Sequence, residues 1–254
     1  MIRTFENIER GKNIYFASDF HLGTPDYTSS IKREKKIVKW LSEIAPQAAA
    51  IFLVGDIFDF WFEYKHTIPK GYARLQGKLA ELVDSGIPIT IFTGNHDMWM
   101  FDYFSNEFGI AVKHQSETYL IGGVLFFIGH GDGVGPGDHA YKFYKKIFSN
   151  RFCQWLFGWL HPNIGMSIAK YWSKKSRITN EGKNIDPEAE WLIKYCRKKE
   201  DQDHHDYYIF GHRHLAVEVD LHEKSRYINL GEWIQECTYA VFNGNIVELK
   251  KYEE

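Results

Sequence analysis

No stretch of this 254-residue chain approaches the roughly 18 consecutive apolar residues that a membrane-spanning helix requires. The opening MIRTFENIERGKN also lacks the apolar centre of a secretory leader. Together these absences predict a cytoplasmic protein whose contact with a membrane is peripheral at most. Cysteine is scarce: Cys153, Cys196 and Cys237 are odd in number, far apart and form no CxxC pair, which argues against a disulfide framework and for a reducing compartment. Charge of one sign is missing too. A formal net charge of −2 and a pI near 6.6 speak against a dedicated nucleic-acid partner, which would need a strong basic surplus. Repeats and low-complexity tracts are absent. What is present, 44% hydrophobic and 25% charged residues with an abundant 17% of aromatics, suits one domain over residues 1–254 with a large core.

The hydrophobic pattern alternates between short apolar runs and helical spacings. Asn13–Ser18 reads as a strand ending in Asp19-Phe20-His21-Leu22-Gly23, and residues 29–45 then put Ile37, Leu41 and Ile44 on one helical face. A second strand, Ala49–Val54, stops at Gly55-Asp56. Leu75, Leu79 and Leu82 follow at helical spacing, ended by Ser85-Gly86. A third strand, Ile87–Thr93, stops at Gly94-Asn95-His96-Asp97. Strands alternating with helices predict a parallel sheet, whose sites lie in loops beyond the strand C-terminal ends. Further on, TYLIGGVLFFIGH reads as a hairpin about Gly122-Gly123 ending at His130, YYIFGHRH as a strand tipped by His212 and His214, and Asn243-Gly244 as a hairpin turn. The expected class is α/β (α+β), with a two-layer sheet core flanked by helices and loops converging on one edge.

Asp19, His21, Asp56, Asn95, His130, His212 and His214 thus form the blocks DxH, GD, GN, GH and GHxH, nearly always beside glycine and after an apolar run. Each block alone is weak, because a single Asp is usually a turn residue or helix cap and a single His a surface or hydrogen-bonded core residue. All five in this order carry more weight. Imidazole and carboxylate suit Mn²⁺, Fe²⁺ or Zn²⁺, whereas Mg²⁺ and Ca²⁺ favour all-oxygen sites. In DxH and HxH the side chains stand two residues apart, so an extended tip would aim both at one ion. Asp56 is the natural bridge between two ions.

The ordered blocks resemble those of the calcineurin-like metallophosphoesterases over residues 13 to 250. The resemblance implies a four-layer αββα sandwich and two divalent ions, with Mn²⁺ expected and Fe²⁺ or Zn²⁺ as alternatives. One ion would be held by Asp19, His21, Asp56 and His214, the other by Asp56, Asn95, His130 and His212. Such a pair clamps phosphoryl oxygens and activates a shared water. His96 would stabilise the transition state or protonate the leaving group, with Asp97 orienting it.

Residues 139–183 stand apart from this pattern. They hold nine Lys or Arg against one acid, Glu181, interleaved with Tyr141, Phe143, Tyr144, Phe148, Phe152, Trp155, Phe157, Trp159, Tyr171 and Trp172. A helical hairpin with aromatics on the sheet and solvated lysines accounts for many of them. The sharper reading is an inserted helical lid offering an apolar groove to a lipid chain and cations to phosphates or an anionic membrane surface. HGDGVGPGD at 130–138, CQWLFGWL at 153–160, Ser176, IFGHRH and NLGEW are similar to the UDP-2,3-diacylglucosamine hydrolases of lipid A biosynthesis. That likeness implies a nucleotide-linked lipid substrate split into UMP and 2,3-diacylglucosamine 1-phosphate, and a place on the cytoplasmic face of the inner membrane. Asp138, Ser176, Lys174, Lys175 and Arg177 would face the sugar phosphate. The best-known branch of those hydrolases has Arg where this chain has His96, which keeps open another nucleotide-diphosphate lipid or a smaller phosphodiester as substrate.

Overall fold

Strand side chains face two different cores, because every central strand is buried on both sides. The structure, a computed structural model, describes residues 2–5, 8–9, 11–135, 139–168 and 190–253. In chain order the strands are β1 (Arg3–Phe5), β2 (Asn13–Ala17), β3 (Ala48–Val54), β4 (Ile89–Phe92), β5 (Ala111–Lys113), β6 (Glu117–Ile121), β7 (Val124–Ile128), β8 (Tyr207–Phe210), β9 (Ala216–His222), β10 (Ser225–Leu230), β11 (Thr238–Phe242) and β12 (Val247–Lys251). They form two six-stranded sheets, one ordered β12-β11-β2-β3-β4-β5 and the other β1-β6-β7-β8-β10-β9. In the first, β2 to β5 are parallel, as the alternation of strands and helices predicts. The second mixes the antiparallel β6–β7 hairpin with parallel β7–β8 and β8–β10 pairs.

The alternation is plain in β2. Ile14 and Phe16 enter the core shared by the two sheets, with Phe52, Phe126, Ile209 and Ile228, whereas Tyr15 and Ala17 face the helices outside. Helix α1 (Tyr27–Ile44) and α2 (Ala73–Asp84) cover that outer face with Ile37, Leu41, Ile44, Leu75, Leu79 and Leu82, the residues their spacing singles out. Asp26 caps α1 by accepting the Ser29 amide. A short α3 (Tyr103–Phe108) adds Phe104 to the same layer. The outer face of the second sheet is covered by Leu192, Ile193 and Cys196 of a helix at Trp191–Glu200. Helix, sheet, sheet and helix make four layers, as expected. The sequence reading missed β1, β5, α3 and the Trp191–Glu200 helix.

Strands β2, β3, β4, β7 and β8 all run the same way within their sheets, so their C-terminal ends meet at one edge of the sandwich. The Gly122-Gly123 turn, the 85–88 turn and the loop at 243–246 lie at the strands' other ends. Residues 139–168 carry α4 (His139–Phe148), α5 (Arg151–Gly158) and a further helical run over 162–168. Among the described residues no helix is long and apolar enough to cross a membrane.

Phe126 is fully buried and stacks on Phe16 across the sheets at 5.8 Å and on Tyr207 at 5.2 Å. Phe126→Ala is expected to cost about 3–5 kcal/mol of stability, read as a lowered urea midpoint with an unchanged slope.

Candidate metal centre

The five strand ends deliver the seven sequence-selected donors to one place. Asp19 Oδ1 lies 3.2 Å from His214 Nε2 and 3.6 Å from His21 Nε2, and the two imidazole nitrogens face each other at 3.0 Å. Asp56, His130 and His212 form a second group. Asn95 joins it, with its Oδ1 2.9 Å from His212 Nδ1. Asp56 Oδ2 stands between the groups, 3.7 Å from His21 Nε2 and 3.3 Å from His130 Nε2. Its Oδ1 accepts the His96 amide at 2.9 Å, which fixes the carboxylate's rotation.

The backbone that achieves this is not the extended tip expected from DxH and HxH. Asp19, His21, Asp56, His212 and His214 all have positive φ, between 43° and 69°, a left-handed conformation that costs a non-glycine residue energy and persists only where neighbours enforce it. Here the neighbours are amides and carbonyls of adjoining loops: His21 donates its N–H to Asp56 O, Asp19 to Gly55 O, and Trp233 to Asp19 O. Arg33, buried on α1, adds two bonds of 2.6 and 2.5 Å to the carbonyls of His21 and Thr24. One consequence is that the two histidines of HxH part company, His214 going to the Asp19 group and His212 to the Asp56 group.

Glycine beside the donors is needed for space. A Cβ on Gly94 would fall inside the Asp56 carboxylate, and one on Gly211 inside that of Asp19.

The donor set fits divalent ions. Asp19 Oδ1 and His130 Nε2 are buried without a hydrogen-bond partner, an expensive state for polar atoms unless something else satisfies them. His130 Nδ1 donates to Val54 O at 2.8 Å, so Nε2 is the nitrogen turned toward Asp56. Separations of 3.0–3.7 Å are those of ligands around one ion bound at roughly 2.1 Å. Burial disfavours charge on Asp56, yet the surrounding imidazoles outweigh it and hold the carboxyl well below its usual range. Burial likewise opposes a proton on His130, but Asp56 wins and pushes its pKa up to about 10. Burial and the His130 charge push His212 the other way, down to about 4, so at neutral pH its imidazole is neutral and able to act as a ligand.

His96 lies beside this centre, its ring 4.9 Å from that of His21. The expectation that Asp97 orients it does not match the geometry. Asp97 accepts four backbone amides, from Gly94 and Ile57 at 2.7 Å, Asp56 at 3.3 Å and Phe58 at 3.4 Å, and so ties the Asp56 loop to the Asn95 loop. Burial and the nearby Asp56 charge push its pKa up to about 7, against amides that favour the ionised form. The partner of His96 is Asp59, whose carbonyl takes its Nδ1 at 3.0 Å and whose carboxylate lies 3.9 Å away. Asp59 was not among the residues chosen from the sequence. The signal that could have found it is a second acid three positions after Asp56 in the same block, GDIFD.

Within residues 139–183, Phe148 and Phe157 pack on Trp99, and Phe157 also on Phe60 and Phe62. Phe143, Phe152, Trp155 and Trp159 are 56–75% exposed. Some of these aromatics thus pack on the loops of the centre, while others face outward. Asp138, Lys174, Lys175, Ser176 and Arg177 lie outside the described residues.

The chain belongs to the calcineurin-like phosphoesterase family, whose profile matches residues 12–216. It is accordingly a metal-dependent phosphoesterase, and its centre is one for divalent ions. A UDP-2,3-diacylglucosamine hydrolase of Porphyromonas gingivalis is 37% identical over 95% of this chain and 98% of its own length. One of Proteus mirabilis is 29% identical over 93% and 98%. Vacuolar protein sorting 29 of Cryptosporidium parvum superposes on 97% of this chain and 100% of its own at 9% identity, with a TM-score of 0.47.

Gly94→Ala is expected to displace Asp56 and weaken Mn²⁺ binding about 10–100-fold by calorimetric titration. Gly77→Ala on α2, where a Cβ meets nothing within 4 Å, is the control and should leave binding unchanged.

Proposed function

We propose that this protein hydrolyses the diphosphate of UDP-2,3-diacylglucosamine, releasing UMP and leaving 2,3-diacylglucosamine 1-phosphate. The observation that carries the chemistry is Asp56, a buried carboxylate placed between two groups of donors. The substrate reading is supported by relatives of that name that align almost end to end with this chain. It is supported too by the aromatic segment beside the centre.

Asp19, His21, Asp56 and His214 would hold one ion and Asp56, Asn95, His130 and His212 the other. Two divalent ions so held, Mn²⁺, Fe²⁺ or Zn²⁺ all suiting this mix of imidazole and carboxylate, would supply neutralisation of phosphoryl charge and a water of lowered pKa. Water adds to phosphorus as the bond to the bridging anhydride oxygen breaks, and the water proton compensates the charge on the departing phosphate. His96 meets that charge: its Nδ1–H is committed to Asp59 O, so exchange with a substrate oxygen falls to Nε2. Asp97 acts one step back, keeping the loops of Asp56 and Asn95 in register. Residues 139–183 would serve as a lid within the single domain, and Asp138, Ser176, Lys174, Lys175 and Arg177 would bind the sugar phosphate. The exposed Phe152, Trp155 and Trp159, with Arg151 and Lys146 near them in sequence, form a face for the anionic surface of the cytoplasmic membrane. A second reading, cleavage of a smaller phosphodiester, is favoured by one feature, the His rather than Arg at position 96.

Incubation with Mn²⁺ and UDP-2,3-diacylglucosamine should yield UMP in step with the acylated sugar phosphate, and release of inorganic phosphate instead would overturn the assignment. Asp56→Asn should lower kcat by roughly 10³-fold or more even on bis(p-nitrophenyl) phosphate. Trp155→Ser with Trp159→Ser should weaken sedimentation with phosphatidylglycerol vesicles by about tenfold.

A further inference from the structure

Two lid lysines point inward. On α4, Lys145 Nζ meets the Asp132 carboxylate at 2.6 Å and the Asp132 carbonyl at 2.9 Å. Three positions earlier, Lys142 donates to the Gly135 carbonyl. Both therefore grip the loop that leaves His130, and α4 lies along it. The far end of α4 is held differently, by the Trp99 indole N–H, which donates to Phe148 O at 2.7 Å, while the Phe148 ring packs edge-on against Trp99 at 5.7 Å. Trp99 follows His96 and Asp97 on the β4 loop. Helix α4 is thus a strut between the two loops that deliver His96 and His130, with Phe143, Tyr144 and Ile147 exposed along it.

Asp132 is 6% exposed and close enough to His130 and His212 to act on the charge of both. A buried carboxylate there requires a cation, and Lys145 supplies it from the lid. We infer that Lys145 is a positioning residue that seats the lid on the His130 loop, and that this seating decides how well the enzyme takes substrates large enough to need the lid. The charge that seats α4 is spent on Asp132, so Lys145 acts through the helix it holds and touches no substrate. Small phosphodiesters, which reach the centre without the lid, do not depend on it. The substrate half of the inference rests on the function proposed above; the seating half does not.

The test uses the full chain with Lys145→Met and Lys145→Arg. Hydrogen exchange of the amides in residues 139–158 should rise about tenfold in Lys145→Met, with Trp191–Glu200 unchanged, and return toward the parent in Lys145→Arg. Unchanged exchange in 139–158 overturns the seating. With UDP-2,3-diacylglucosamine, KM should rise about tenfold in Lys145→Met at nearly constant kcat, while kcat/KM for bis(p-nitrophenyl) phosphate stays within about twofold. Equal losses on both substrates would mean general damage and sink the specificity role. If the parent enzyme leaves the UDP-lipid intact, the function proposed above fails, and the exchange experiment still decides the seating.

Discussion

Asp56 and Asp97 sit side by side with almost no exposure to solvent, and the end of the sandwich is arranged around making that tolerable. Two carboxylates this close repel each other and lose hydration, so each must be surrounded by donors or cations. Asp97 takes backbone amides on both oxygens. Asp56 takes one amide and is otherwise left to imidazoles, which makes it the position where outside positive charge is wanted. Loops from both sheets are drawn to the same point, and the left-handed backbone at five donor residues is held in place by the same web of amide bonds.

Much of this was legible in the sequence. Strands β2, β3 and β4, helices α1 and α2, and the β6–β7 hairpin follow directly from alternation, helical spacing and the glycine turns. The seven donors could be selected because each follows an apolar run. The tips themselves were not legible, since periodicity describes regular backbone and Asp19, His21, His212 and His214 leave it. That is why the pairing of the two HxH histidines could not be read from their spacing. The orienting role of Asp97 toward His96 came from the family resemblance alone, and the Gly94 and Ile57 amides that Asp97 meets in three dimensions are not visible in the sequence. The missed β1, β5 and α3 are three to six residues long, too short for a period to emerge.

The aromatic excess resolves into two populations with different partners. One, within residues 57–64 and 97–104, has a buried centre where Phe58, Trp61 and Phe104 pack together, and Glu63 caps three amides at the start of α3. The other, on α4 and α5, is largely exposed. Phe157, Phe60, Phe62 and Trp99 join them. A segment rich in cations can therefore rest on an apolar platform while keeping a second apolar surface outward, with Lys142 and Lys145 turned to the His130 loop.

Strand polarity gives the molecule a working end and a blank end. The turns at 85–88, 122–123 and 243–246 are on the blank side, share no loop with any donor, and are built from short polar or glycine-containing sequences. Tethers, labels or a fused reporter attached there would leave the mouth of the site and the outward aromatic face open to solution, so that immobilised enzyme keeps the orientation in which large amphiphiles approach it.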